Sequence, residues 1–207
     1  FDLLIPYSFS ETENIFSKNP DIEILHTQFA TKGRKEADPL FNDWWQSQKG
    51  EPGYACFFRD SKGSILLADD WNHPMVNLIN DYCLELMVKN NIDDFAEVNK
   101  QNSSNLRFTG IYWDLLFGKI SWLGEDVDSN LDGQPDDPVE LNQQYKDSVT
   151  KFINEIHNQF PEAVLMGNEA DLEYAQVING RLFEWQLQNL LDGSDLYSWK
   201  VIIDDYR

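Results

Sequence analysis

The chain has 207 residues, 42% of them hydrophobic, and its 36 acidic against 16 basic side chains leave a formal charge of −20. That is enough apolar material for one domain with a real core. The charge argues against nucleic acid and anionic membrane surfaces as partners, since like charges repel, and with no run of about eighteen apolar residues no membrane insertion is expected.

Phe1 to Tyr7 is a short apolar run closed by Pro6 and a Ser/Glu/Thr cluster, and it reads as a buried strand. Glu11 to Lys18 suits a brief helix stopped by Asn19-Pro20, and Asp21 to Thr31 a second strand. After the charged stretch Lys32 to Asp38, Pro39 to Lys49 carries Phe41, Trp44 and Trp45 at helical spacing. Tyr54 to Trp71 holds Asp60-Ser61-Lys62-Gly63 between two apolar runs, a hairpin signal, and is expected to be an insertion. From Pro74 the positions Val76, Ile79, Tyr82, Cys83, Leu86 and Met87 predict an amphipathic helix, with Asn72 as N-cap and Asn90-Asn91 as stop. Asp93 to Lys100 adds a further helical turn or two.

Leu106 to Trp113 is rich in β-branched and aromatic residues, reads as a strand buried on both faces, and ends on Asp114. An aromatic loop and an acidic run follow. Pro138 then opens a helix with the apolar stripe Leu141, Tyr145, Val149, Phe152, Ile153 and Ile156, ended by Pro161. Ala163 to Gly167 is the next strand, followed by Asn168, Glu169 and a helix from Ala170 to Val177. Gly180 to Phe183 is a short strand ending on Glu184, Trp185 to Leu191 is helical, and Lys200 to Ile203 is a last strand ending in Asp204, Asp205 and Tyr206.

Strands alternating with helices predict an α/β class with a parallel sheet, a (β/α)8 TIM barrel forming one domain over residues 1–207. Eight strands usually take about 250 residues, and only six are legible. A partial or trimmed chain is therefore expected, lacking one unit before Phe1 and at least one after Arg207, with a complete open α/β sheet as the competing architecture.

In a parallel barrel the strand ends share one rim, so Asp114, Asn168, Glu169, Glu184, Asp204, Asp205 and Tyr206 are predicted to converge over one cavity. Two such carboxylates can divide glycosidic cleavage, one protonating the leaving oxygen while the other attacks the anomeric carbon or activates water. Asp114 and Glu184 are the expected catalytic pair. Trp71, Tyr112 and Trp122, with Trp113, Phe117 and Trp185 near the same loops, offer flat faces on which sugar rings stack, and the remaining rim residues are expected to bind substrate.

Asp126 to Asp137 carries oxygen ligands at alternating positions before a Gly, the first half of a calcium loop: Asp128, Asn130 and Asp132, then Gly133, the Gln134 carbonyl and Asp136. Val139 stands where the bidentate Glu belongs, with Asp137 or Glu140 as substitutes, and a cation would relieve the repulsion within this run, Asp126 included. A structural Ca2+ is therefore the expected cofactor. Cys56 and Cys83 read as two unpaired small core residues, with a disulfide between them as the alternative. His26, His73 and His157 form no ligand spacing, and of these His26, in a strand pointing toward the rim, is the candidate for lining the site.

Phe1-Asp2-Leu3-Leu4, Asn19-Pro20-Asp21-Ile22-Glu23-Ile24-Leu25, Gly110-Ile111-Tyr112-Trp113-Asp114, Met166-Gly167-Asn168 and Asn179-Gly180-Arg181-Leu182-Phe183-Glu184 occur in this order. Together they resemble the barrel glycosidase-like proteins of the endo-α-1,4-polygalactosaminidase type and their hypothetical glycosyl hydrolase relatives. The resemblance implies a TIM barrel with a catalytic Asp on the fourth strand, carried here onto Asp114, and a Glu on the sixth, carried onto Glu184. The expected protein is a secreted or extracellular glycoside hydrolase acting on a polysaccharide or oligosaccharide. The alternative is a non-catalytic carbohydrate-binding or extracellular assembly protein on the same fold.

Overall fold

The computed structural model describes residues 3–5, 15–29, 56–67, 74–101, 107–114, 116–168 and 174–182. The strand expected at Lys200 to Ile203 and the helices expected at Pro39 to Lys49 and Trp185 to Leu191 lie outside the described residues.

Five described strands form one sheet: β1 (Leu3–Leu4), β2 (Glu23–Phe29), β3 (Gly110–Asp114), β4 (Val164–Asn168) and β5 (Gly180–Leu182). They lie side by side in chain order, and every pair is parallel. Parallel neighbours need crossover connections rather than tight turns, and two of these are long helices, α1 (Asp81–Gln101) and α2 (Pro138–Gln159).

Crossovers of this kind are right-handed, so strands added in one direction put their helices on one face. Ile24 of β2, Ile111 and Trp113 of β3 and Leu165 of β4 share a single core with both helices, and in the described parts of the other connections Phe16, Tyr174, Val177 and Ile178 join the same core. The second face is covered too, since Leu25 and Tyr112 are buried on it. A doubly wound open sheet needs a reversal of strand order and helices on both faces; the described residues show neither.

Close approach between β3 and β4 depends on Gly110. A Cβ there would lie 2.0 Å from the Val164 carbonyl oxygen and 2.6 Å from Cδ2 of Leu25, so only glycine leaves room.

The residues of α2 form the helix the sequence predicts. Pro138 occupies the first turn, Asp137 Oδ1 accepts from the N–H groups of Val139 and Glu140 at 2.9 and 3.1 Å, and all six stripe residues are buried.

The helix α1 differs from expectation at three points. It starts at Asp81 rather than near Pro74, because Val76 and Pro74 pair with Phe57 and Leu67 in extended bridges, and Asn80 Oδ1 accepts from the Cys83 N–H in place of Asn72. Tyr82 is exposed, since the buried positions recur at Cys83, Met87, Asn91 and Phe95. Asn90-Asn91 does not stop the helix: Asn91 Nδ2 donates to the Met87 carbonyl at 3.0 Å and Asn91 Oδ1 accepts from the Trp113 indole at 2.9 Å, so the amide is satisfied inside it.

Of the stretch expected to form a hairpin, the described residues 56–67 hold a turn with antiparallel pairing across it. Arg59 bridges Ile65, and Asp60 Oδ1 accepts from the Lys62 and Ser64 N–H groups at 3.0 and 2.7 Å. The Ser64 backbone N–H holds the Asp60 carboxyl below the usual carboxylate range.

The expectation for the cysteines is corrected. Cys56 and Cys83 form a disulfide, with Cα atoms 5.2 Å apart. The hairpin strand beginning at Cys56 folds back on the first turn of α1, a non-local contact that spacing alone does not reveal.

Candidate active site

Alternation along β3 turns Ile111 and Trp113 to the helices and leaves Tyr112 and Asp114 on the opposite face. Asp114 is the last residue of β3 and Asn168 the last of β4. Asn168 Nδ2 donates to Asp114 Oδ1 at 3.0 Å, and the Asn168 carbonyl accepts from the Leu116 N–H at 2.9 Å. Asn168 is 1% exposed, whereas Asp114 is half-buried. A carboxylate is thus presented at the carboxyl edge of a parallel sheet, the edge at which such folds build their sites.

On the far side of β4, Leu182 of β5 stands level with Asn168. Glu184, two residues further on in sequence, lies outside the described residues, as do Trp71, Glu169, Asp204, Asp205 and Tyr206. Of the predicted rim set, the described residues bring Asp114 and Asn168 into contact, with Tyr112 buried just before Asp114 on the same face.

The chain beyond Asp114 forms an aromatic ledge. Ser121–Leu123 is a short 3-10 helix, and Trp122 on it is 44% exposed. Its indole N–H donates to the Lys119 carbonyl at 2.9 Å, and its ring meets Phe117 edge-on with centroids 5.3 Å apart. Asn142 of α2 fixes the turn from below: its Oδ1 accepts from the N–H groups of Ile120 and Ser121, and its Nδ2 donates to Ser121 Oγ.

The acidic loop wraps its carboxylates round its own backbone. Asp128 accepts from Asp132 N–H through Oδ1 and from Gly133 N–H through Oδ2, at 3.1 and 2.8 Å. Asn130 Oδ1 accepts from Asp132 N–H, Asp132 Oδ1 from Gln134 N–H and Asp136 Oδ2 from Ser129 N–H. Gly133 has φ +84°, a conformation L side chains rarely adopt. Asp126 and Asp137 are drawn to other tasks, Asp126 to the Ser61 N–H of the hairpin and Asp137 to the cap of α2. Among the described residues no three His, Cys, Asp or Glu side chains converge as a set able to hold a metal ion.

The turn around Arg59 and the segment that carries Asn77 brace this loop. Asp128 N–H donates to the Arg59 carbonyl at 2.8 Å, and fully buried Asn77 donates from Nδ2 to the Ser129 carbonyl, also at 2.8 Å.

The expectation for His26 is corrected: its Nε2 is 2.8 Å from Asp94 Oδ2 of α1, so the ring faces the helix layer, not the rim. His157 is exposed in the last turn of α2, and His73 lies outside the described residues.

This arrangement of strands has solved counterparts. Its likeness is to a glycoside hydrolase domain. The glycoside hydrolase domain of PelA from Pseudomonas aeruginosa superposes with a TM-score of 0.52 at 15% identity, over 87% of this chain and 58% of that one. A point variant of the same domain gives 0.51 at 16% identity over the same shares. At such identity the likeness is one of fold, and the chain spans little more than half the length of the PelA domain. The chain matches no protein-family model and no curated protein.

Three residues that shape this part of the fold have no signature in the sequence. Asn142, Asn77 and Asn91 act on partners 21, 52 and 22 positions away. Each falls within a pattern that reads as solvated surface or helix end, and only the tertiary contact reveals it.

Proposed function

We propose that this chain is a glycoside hydrolase built on consecutive strands of a (β/α)8 barrel, with Asp114 as nucleophile or base and Glu184 as general acid. The observation that carries it is the Asp114 carboxylate at the carboxyl edge of the sheet, joined to Asn168 of the neighbouring strand. Strand order, the common face of the described crossovers and the PelA likeness support the barrel. Glu184 would deliver its proton to the leaving glycosidic oxygen while Asp114 attacks the anomeric carbon or draws a proton from water. Half-exposed Trp122 suits the apolar face of a sugar ring.

The net charge of −20 favours a neutral or cationic polysaccharide. The Cys56–Cys83 disulfide supports an oxidising, extracellular location. The test is reducing-end release from partly deacetylated α-1,4-galactosaminan and a panel of neutral glycans. Asp114→Asn should lower kcat on the order of 10³-fold or more while the protein stays folded. Unchanged cleavage removes Asp114 from the mechanism, and binding without cleavage by the wild type favours the carbohydrate-binding alternative.

Calcium in the acidic loop is part of the same proposal. Five carboxylates between Asp126 and Asp137 repel one another, and the alternating Asp128, Asn130 and Asp132 before left-handed Gly133 are the support. Their oxygens now serve backbone N–H groups through one lone pair each, and a cation would use the others. Millimolar calcium should raise the melting temperature by a few degrees and EDTA should reverse it; a melt indifferent to both removes the cation.

A further inference from the structure

On the reading that Asp114 takes part in glycosidic cleavage, we propose that Asn168 is the positioning residue that sets where the Asp114 carboxylate points and where the following loop departs. An ionised carboxylate offers only acceptors, so the amide nitrogen of Asn168 must be the atom that faces it. That nitrogen lies 3.0 Å from Oδ1. The same residue holds the chain two positions past Asp114, its carbonyl accepting from Leu116 N–H at 2.9 Å. Side chain and backbone of one residue thus grip Asp114 and the exit of its loop together.

Asn168 itself has little freedom. It is 1% exposed, and it is paired in register with Leu182 of β5. A group so confined can hold its partner within the small tolerance that a reacting carboxylate requires. With Oδ1 occupied by the amide, the chemistry at the anomeric centre falls to Oδ2. The amide does not touch the substrate in this scheme; it acts through Asp114.

Asn168→Asp keeps the shape of the side chain but turns a donor into an acceptor facing another carboxylate, and Asn168→Ala removes the donor without adding charge. Either should lower kcat for partly deacetylated α-1,4-galactosaminan by about 10- to 100-fold while KM changes by less than about threefold. The exchanged pair Asp114→Asn with Asn168→Asp restores one N–H···O bond in the reverse sense. Its melting temperature should recover above that of Asn168→Asp alone, while cleavage stays lost because the carboxylate now stands on the wrong strand.

A folded Asn168→Asp or Asn168→Ala protein that keeps more than about half of the wild-type kcat overturns the positioning role and leaves the hydrolase reading standing. An exchanged pair that melts no higher than Asn168→Asp overturns the pairing on which the role depends. A wild type that cleaves no glycan of the panel overturns the hydrolase reading and this role with it, and the melting comparison then separates wrong geometry from wrong chemistry.

Discussion

Two crossover helices of nearly equal length, α1 with 21 residues and α2 with 22, cover the same face of the sheet, and they are held there by different chemistry. The buried stripe of α2, from Leu141 to Ile156, is built of aliphatic and aromatic side chains with no amide or charged group among them. The stripe of α1 contains Asn91, 4% exposed, at the centre of a polar network. Gln28 Nε2 donates to the Asn91 carbonyl and to Asp94 Oδ2 at 3.0 and 3.2 Å, and Asp94 also meets His26. Trp113 is shared between the two: its indole N–H goes to Asn91 and its ring packs edge-on against Phe152, with centroids 5.5 Å apart. An apolar stripe can slide over its neighbours with modest loss, whereas a buried amide network loses its hydrogen bonds at any other register. We read α2 as the source of cohesion and α1 as the source of alignment.

That division predicts unequal losses. Phe152→Ala should have the larger effect, about 3–5 kcal/mol in denaturant unfolding, because it removes a buried ring and leaves a cavity against Trp113. Asn91→Ala should cost about 1–3 kcal/mol, since it leaves the Trp113 indole N–H buried without its acceptor. Adding Trp113→Phe should recover part of the Asn91→Ala loss, because both partners of the bond are then absent. If Asn91→Ala proves the costlier change, or if Trp113→Phe recovers nothing, the assignment of roles to the two helices is wrong.

The same contrast explains what was legible in the sequence. The helix α2 is written in a 3.6-residue apolar period with a Pro at its start and an Asp cap, and its residues could be named in advance. In α1 the period is interrupted by Asn91, which local propensity reads as an end because short amides usually compete with helix hydrogen bonds. Only the Trp113 indole, reached through the sheet, makes that amide compatible with the helix interior. The Cys56–Cys83 pair is hidden in the sequence for the same reason: the hairpin must fold before the two sulfurs are neighbours. Strand order followed from the alternation of elements, and the placing of Asp114 at a strand end followed from the apolar run before it. The contact between Asp114 and Asn168 did not, because register between β3 and β4 is fixed by Gly110 and the packing around it.

The smallest expected effect concerns the ion pair that joins the two helices at the surface. Lys151 Nζ of α2 lies 2.8 Å from Asp81 Oδ1 of α1, with the two side chains 50% and 82% exposed. The hydrogen bond that Lys151 Nζ donates to Asp81 Oδ1 pushes the Lys151 pKa above its ordinary value of 10.5. A lysine whose pKa is raised on folding contributes stability that is fully present below the unfolded value and lost as pH rises through the folded one. Replacing Lys151 with Met should therefore give a small melting difference from the wild type that is constant from pH 6 to 9 and disappears only above about pH 10.5. Solvent screening and the freedom of two exposed side chains keep it small, and added salt should erase it. A difference as large as that of Asn91→Ala would mean that surface charge, not the buried network, aligns α1 with α2.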